Sequence, residues 1–521
     1  MRTFTAYVHN MDVTRSLTTG YFPKEVPVSF SSESFAKLAP TLSVSTGPPT
    51  TPVRFNLARA GGLRRSTEIA NPFAQLSIVS LCSQHWVKLQ TLTRLSPISL
   101  TRPIRNRREP ALTYLVDLAR RPEAVIRRMP GGAVTLRTDI NQFYPSIYTH
   151  AVDWAVRTKR RAKKAKNAQG LGPELDKRLR NSRSGQTVGL SIGPDTSWLV
   201  SELVLGRVDE ALTRKFPIVT KRAVRFGDDM LFYASSIEEA HEVLGEYERC
   251  LAEYELSLNA TKVAVVGGLE AADPSWVSTL RRFQYRDATE DQLAQDLIDL
   301  FAFAHEIARS LPTQGVLSYA IKRCNPFPAG KRTWPIYRDL VLASITQEAS
   351  TLRHVYEILM FAKQHALAVD QDAVVDVLNE VCARHASFDH GFEVAWILTI
   401  LRDLNLPLDA ATANAIATMN DNCSLILLID AVQRAPFTLN GVDTSAALSR
   451  AELKGALSSE DWLLAYESRV AKWCAPRAWD GLPQWEGLKK AGVRFFVPSP
   501  PTRFRGLRRT HPRFMPTWGG Y

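Results

Sequence analysis

Ala133-Val134-Thr135-Leu136-Arg137-Thr138-Asp139-Ile140, followed by Asn141-Gln142-Phe143-Tyr144-Pro145, is the stretch on which the fold class turns. Apolar and polar residues alternate from Ala133 to Ile140, the period-2 pattern of a half-buried strand. Phe143-Tyr144-Pro145 then breaks the strand, because proline has no amide hydrogen to give a ladder. The strand therefore carries a carboxylate, Asp139, to its end. The second decisive stretch is Arg225-Phe226-Gly227-Asp228-Asp229-Met230. Residues 220–233 read as strand, tight turn, strand, with the paired acids at the turn.

Adjacent carboxylates in an apolar hairpin are costly, since like charges repel and burial disfavours the ionised form. Divalent metal supplies the missing charge. Acids from two neighbouring strands can hold a pair of Mg²⁺ ions roughly 3.5–4 Å apart, the arrangement that activates an attacking hydroxyl and binds a triphosphate. Mg²⁺ suits a site with few carboxylates that leaves room for substrate oxygens. An isolated Asp-Asp pair is more often an ordinary turn. Here both acidic blocks have strand-like lead-ins, and a strongly basic segment lies between them.

The 521-residue chain carries a formal net charge of +13, which favours polyanionic partners, nucleic acid first among them. Residues 157–183 hold eleven Lys or Arg and two acids. Such runs are commonly solvated faces, but the position of this one between the acidic blocks also fits nucleic-acid contact. The six cysteines form no CxxC pair, which argues against zinc ribbons and dithiol redox sites. The first ten residues have no signal-peptide core, and no 18-residue apolar run occurs. The expectation is a soluble cytoplasmic protein with no membrane partner.

Residues 1–50, rich in Ser, Thr and Pro, read as an irregular N-terminal arm. Helical patterns are expected at 195–214 and 237–254, with a strand pair around 256–266. Beyond 290 the texture becomes all-helical, with segments near 291–311, 338–367, 371–385, 391–404, 411–418, 422–434 and 446–473, read as stacked helix pairs. Residues 501–521 hold five arginines, no acids, and Phe504, Phe514, Trp518 and Tyr521. Such a tail can stack on bases or clamp a partner subunit.

These blocks resemble a reverse transcriptase, specifically the abortive-infection group typified by AbiK and its prophage-encoded relatives. Motif A resembles Thr138–Ile147 and its continuation to His150. Motif B resembles Gln186–Ser197, motif C Phe226–Asp229, and motif D Leu256–Lys262. A fingers-like block resembles Phe55 to Pro72, with Arg64 and Arg65 inside it. The resemblance implies that Asp139, Asp228 and Asp229 are catalytic. They would bind two Mg²⁺ ions, with Mn²⁺ as a substitute and Ile140 as a further metal contact. Tyr144, with Phe143 beside it, would select deoxynucleotides. Gly189 would lie in the flexible loop under the nascent pair, Lys262 near the triphosphate, and Arg64 or Arg65 on its phosphates. Val188-Gly189 replaces the usual Pro-Gln-Gly, and Gly227 stands where a larger residue is common. Both departures bear on template handling.

The resemblance further implies DNA synthesis from dNTPs without a template, primed by a protein hydroxyl that leaves the DNA product covalently attached. Tyr7 and Tyr21 are the candidates in the arm. It also implies ring-like homo-oligomers, trimer or hexamer, and a role in stopping phage infection. The expected fold is α+β. Residues 51–285 would form fingers and palm, 286–475 a HEAT-like helical-repeat domain, and 476–521 a basic aromatic tail. A retron-like enzyme that copies RNA is the first alternative, and the Val-Thr-Gly thumb signature of retrons is missing. A non-catalytic nucleic-acid-binding scaffold is the second.

Overall fold

In the computed structural model, residues 10–106, 108–165, 168–284, 289–324, 329–433, 441–474 and 482–498 are described. The palm is a four-stranded antiparallel sheet of β5 (Val134–Asp139), β6 (Ala223–Phe226), β7 (Asp229–Ala234) and β8 (Ala264–Gly267), in the order β6-β7-β5-β8. Two hairpins precede it, β1 (Val53–Ala58) with β2 (Arg64–Ile69), and β3 (Pro103–Arg105) with β4 (Leu112–Tyr114).

The alternation read in the sequence sets the two faces of the sheet. Val134, Leu136, Met230, Phe232 and Ala234 enter the main hydrophobic core. Helix Ile237–Ala252 packs across β5, β7 and β8 on that side, and helix Asp195–Lys215 packs beside it. Val224 and Tyr233 join a smaller cluster on the opposite face. Because strand side chains alternate, Asp139 and Asp229 fall on this second face.

The helices expected at 195–214 and 237–254 are present as Asp195–Lys215 and Ile237–Ala252. The expected strand pair around 256–266 is only half there. β8 is its single strand, and Leu258 makes an isolated bridge to Ile140. The helical half also differs in detail. The segment expected at 338–367 splits into Thr333–Gln347 and Leu352–Gln364. At the break, the Glu348 carboxylate accepts the backbone amides of Leu317 (2.9 Å) and Ser318 (3.2 Å). It thereby caps helix Val316–Arg323, which periodicity did not reveal. The segment expected at 446–473 is likewise two helices, Ser445–Ala451 and Trp462–Val470.

The N-terminal arm is more regular than its composition suggests. It forms helices Val13–Thr19 and Glu33–Leu38 and buries Tyr21, Phe22, Phe30 and Phe35. Its apolar residues close against the other end of the chain. Phe30 bridges Phe496, Ser31 N donates to Phe495 O (2.8 Å), and Val497 N donates to Ser29 O (2.7 Å). One hydrophobic core runs through arm, palm and helices. The tail beyond residue 498 lies outside the described residues.

Phe495 is fully buried among Phe22, Phe35, Trp462 and Tyr466, with ring centroids 5.3–5.9 Å away. Phe495→Ala is expected to destabilise the whole chain by about 3–5 kcal/mol, read as a lower midpoint in urea unfolding. A loss below about 1 kcal/mol would mean that the junction of the two ends contributes little.

Candidate active site

The register of β5 on β7 places Asp139 directly opposite Asp229. Side chains so paired have Cβ atoms about 4.5–5.5 Å apart, and like charges there repel. Asp228 joins them from the β6–β7 turn. That turn has two residues, Gly227 and Asp228, because Phe226 pairs with Asp229. Gly227 has φ 63°, and glycine in the first position is the pattern of a type II′ hairpin. The glycine that departs from the family pattern is therefore required by the backbone.

The electrostatics follow from this crowding. Burial, then repulsion from Asp228 and Asp139, pushes the Asp229 carboxyl up to about 6. Burial and Asp139 also raise Asp228. The Lys262 ammonium answers them, its Nζ 2.6 Å from Asp139 Oδ2. The main chain aims this lysine. Asn259 N donates to Asp139 O (2.8 Å), Asn141 N to Ser257 O (2.9 Å), and Lys262 N to Asn259 O (2.9 Å). Ile140, expected among the metal contacts, buries its side chain in the core, so only its carbonyl can serve. The bridge to Leu258 uses Asp139 O and Asn141 N, so the Ile140 carbonyl points to the opposite, β7 edge.

Beneath the turn lies an ion network that the sequence did not reveal. Arg225 is 0% exposed. Its guanidinium donates to Glu202 through Nη1 (3.0 Å) and Nη2 (2.9 Å), to Asp209 through Nε (2.8 Å), and to the Gly227 carbonyl (2.7 Å). Ser99 and Thr101 hydroxyls also donate to Glu202, and Gly227 N donates to Thr101 Oγ1 (2.9 Å). The two acids respond differently. Burial would raise both, but Arg225 and the two hydroxyls hold Glu202 below its usual range. Asp209 ends up raised. Among the described residues its Oδ1 has no partner, and Oδ2 alone is bonded, to Arg225 and Ser96.

The expected nucleotide residues divide. Tyr144 is half-buried, and burial, followed by Glu202 and Asp228, raises its hydroxyl while a hydrogen bond with Ser201 opposes the shift. It therefore lies within reach of the charge on the acidic turn. Phe143 meets the Tyr144 ring edge-on, with centroids 5.4 Å apart, but from the core side. The Phe143 ring is 4% exposed and belongs to the core, since neighbours in the short helix Phe143–Ser146 diverge by about 100°. Gly189 (φ 93°) donates its amide to Ile147 O (2.8 Å), and a Cβ there would come within 3.1 Å of Pro145 O. Leu190 N donates to Tyr144 O (2.9 Å), so the motif B loop is laced to the turn that bears Tyr144.

Arg64 and Arg65 are neighbours on β2 and so face opposite sides. Arg64 is a correction. It makes a bidentate pair with Glu393 of the helical half, at 2.7 and 2.8 Å, and its guanidinium is engaged there. The Arg65 charge acts on Asp228 instead. Arg59, which the sequence reading missed, lies near both Arg65 and Asp228. Its only signal was a basic residue beside the Gly61-Gly62 turn. Tyr21 is a second correction. The side chain is fully buried and its hydroxyl donates to Ala70 O (2.5 Å), which leaves no exposed nucleophile. Tyr7 lies outside the described residues.

The basic segment is partly consumed by the fold. Arg157 pairs with Asp153, Arg178 with Glu174, Arg180 with Asp176 and Arg183 with Glu68. Arg160, Arg161, Lys163 and Lys164, on the short helix Lys159–Lys164, remain exposed.

The family model for reverse transcriptase (RNA-dependent DNA polymerase) matches residues 79–285, a span that includes β5 through β8 and all three acids. No curated protein matches the chain. Among solved structures, apo telomerase from Candida tropicalis is similar at 10% identity, with a TM-score of 0.33, over 81% of this chain and 75% of that one. Residues 79–285 are a reverse-transcriptase domain, and the chain is an enzyme of the corresponding nucleotidyltransferase class. No helix among the described residues is long and apolar enough to cross a membrane.

Arg225→Gln is expected to cost about 3–5 kcal/mol of stability by leaving Glu202 and Asp209 without their counter-ion. Calorimetry or urea unfolding checks this. An unchanged midpoint would show that the acids find other partners.

Proposed function

We propose that the chain is a DNA polymerase whose two divalent ions, Mg²⁺ by preference, are held by Asp139, Asp228 and Asp229 with the Ile140 carbonyl. The observation that carries this reading is the register that sets Asp139 against Asp229 and beside Asp228. The donor set fits the ions. It offers hard oxygen atoms only, and among the described residues Lys262 is the one ion-pair partner of the three acids, with the Arg65 charge acting on Asp228 from further off. When bound, the ions acidify the attacking hydroxyl and neutralise the triphosphate.

The remaining roles belong to the chain. Arg65, with Arg59, attracts the incoming phosphates from the β1–β2 hairpin. Lys262 can exchange its carboxylate partner for a phosphate oxygen, since its side chain is 60% exposed. Tyr144 stands where a ring excludes the ribose 2′-hydroxyl, and the Gly189 loop holds that ring's turn in place. Residues 51–285 act as fingers and palm in this reading. Residues 286–475 act as a HEAT-like helical unit that takes the place of a thumb.

The finer reading follows the resemblance to the AbiK group. It takes synthesis as template-independent and protein-primed, carried out by a trimer or hexamer, and serving anti-phage abortive infection. With Tyr21 enclosed, Tyr7 becomes the priming candidate. The second reading, RNA-templated synthesis, is favoured by the family whose model matches.

Incubation with labelled dNTPs and Mg²⁺ on a denaturing gel separates these readings. Label migrating with the protein, without template and lost in Tyr7→Phe, is the expected result. Incorporation that requires added RNA would favour templated synthesis. Asp228→Asn should lower either activity by on the order of a thousandfold, equivalent to several kcal/mol of lost transition-state stabilisation. Undiminished incorporation in that variant would remove the catalytic assignment. Tyr144→Ala should raise ribonucleotide use relative to deoxynucleotide use by roughly 10–100-fold, measured as a ratio of kcat/KM values. An unchanged ratio would return Tyr144 to a packing role.

A further inference from the structure

Away from the acidic turn, two histidines and a buried glutamate converge where the helical half meets the β1–β2 hairpin. His385 lies at the end of helix Gln371–Ala386, and His390 immediately precedes helix Gly391–Leu404. Glu393 sits in the first turn of that second helix and is 1% exposed. The reversal between the helices is fixed. Asp389 adopts φ 55°, and its carboxylate accepts Asn420 N at 2.8 Å. One ligand atom from each of His385, His390 and Glu393 lies within 4.8 Å of the others.

The separations lie on either side of those set by coordination. His385 Nδ1 is 2.8 Å from His390 Nδ1 and 3.5 Å from Glu393 Oε1. Donors bound about 2.0–2.1 Å from a tetrahedral ion are about 3.3–3.4 Å apart. An ion could be taken up with shifts of a few tenths of an ångström and a modest approach by the third donor. Imidazole nitrogens with one carboxylate oxygen form a donor set of the zinc class rather than the all-oxygen set of magnesium. Arg64 grips both Glu393 oxygens, but each retains a second lone pair. An arginine in that position is an outer partner that orients the carboxylate. Phe388 stacks on His390, with centroids 5.5 Å apart, and shields one side.

We infer that His385, His390 and Glu393 form a binding site for one zinc-class divalent ion, with a fourth position open to water. The ion would lock the turn between the two helices and, through Glu393 and Arg64, fasten the β1–β2 hairpin to the helical half. Its inferred effect is to join these elements, and it is independent of the polymerase assignment.

The competing account is a plain histidine–histidine hydrogen bond beside an arginine–glutamate pair. The test uses untagged, full-length protein carrying Asp228→Asn and Asp229→Asn, so that the acidic turn does not compete for metal. Equilibrium dialysis against Zn²⁺ should retain one equivalent, Co²⁺ should give visible d–d absorption bands, and Zn²⁺ should raise the thermal midpoint. His390→Asn, or separately His385→Asn, should weaken Zn²⁺ binding at least about a hundredfold, with an unchanged circular dichroism spectrum. Should a histidine variant lose its fold, Glu393→Gln with the same readouts takes its place. Failure to retain Zn²⁺ at micromolar free metal would overturn the site. Equal retention by the histidine variants, or equal retention by the glutamine variant where it is used, would also overturn it.

Discussion

A guanidinium with no access to water must be paired, and Arg225 meets that constraint in a way that shapes the catalytic turn. Its donors reach two buried carboxylates on helix Asp195–Lys215 and one carbonyl in the turn itself. The helix, the strand β6 and the Gly227-Asp228 corner are thus fixed to one another by a single side chain. Removing charge from either side of such a network leaves the other side buried and uncompensated. The network also reaches the segment Ser96–Thr101, whose hydroxyls donate to both oxygens of Glu202 and to Oδ2 of Asp209. With the Gly227 corner fixed from below, the strand register keeps Asp139 opposite Asp229 despite their repulsion.

The palm was legible because its signal is local. Alternation along residues 133–139, a glycine-bearing turn and two adjacent acids are short-range facts, and together they imply an antiparallel sheet with carboxylates at one end. The helical half was legible as helices because apolar periodicity survives over a dozen residues. Its breaks were not, since the Glu348 cap and the reversal at 452–461 depend on neighbours that periodicity does not register. The corrected side chains share that cause. Arg64 looked like a phosphate ligand beside Arg65, yet its partner Glu393 lies 329 residues further along the chain. Tyr21 sat in a polar, proline-rich arm whose aromatic residues pack against Phe495 and its neighbours. Arg225 was visible only as the residue before motif C.

These long-range bonds change how the hairpin that carries Arg59 and Arg65 can move. In a polymerase the fingers are the mobile element that closes over a nucleotide. Here β1 packs on helices Gly391–Leu404 and Asn422–Gln433, and Arg64 is tied to the first of them. The two faces of β2 therefore serve different ends, one anchoring the hairpin to the helices and the other presenting charge toward Asp228. Any closing motion of the hairpin must carry the helical half with it or break a mostly buried bidentate pair. On the proposed reading, in which this hairpin meets the nucleotide, the helices are thereby coupled mechanically to nucleotide binding, although they contribute no residue to the acidic turn among those described.

Two kinds of cation serve the acidic site, and their difference is chemical. Arg225 is planar, always charged and 0% exposed, so it is a permanent part of the scaffold. Lys262 is a point charge on a flexible stem, 60% exposed and anchored, among the described residues, by its backbone and one carboxylate. A lysine so placed compensates Asp139 and, on the proposed reading, yields that oxygen and turns its ammonium toward an arriving phosphate without disturbing the sheet. The same exchange by a buried arginine would strand two carboxylates. A fixed charge below the turn and a movable one above it let three acids remain close in the folded chain while leaving their outer oxygens open for ligands.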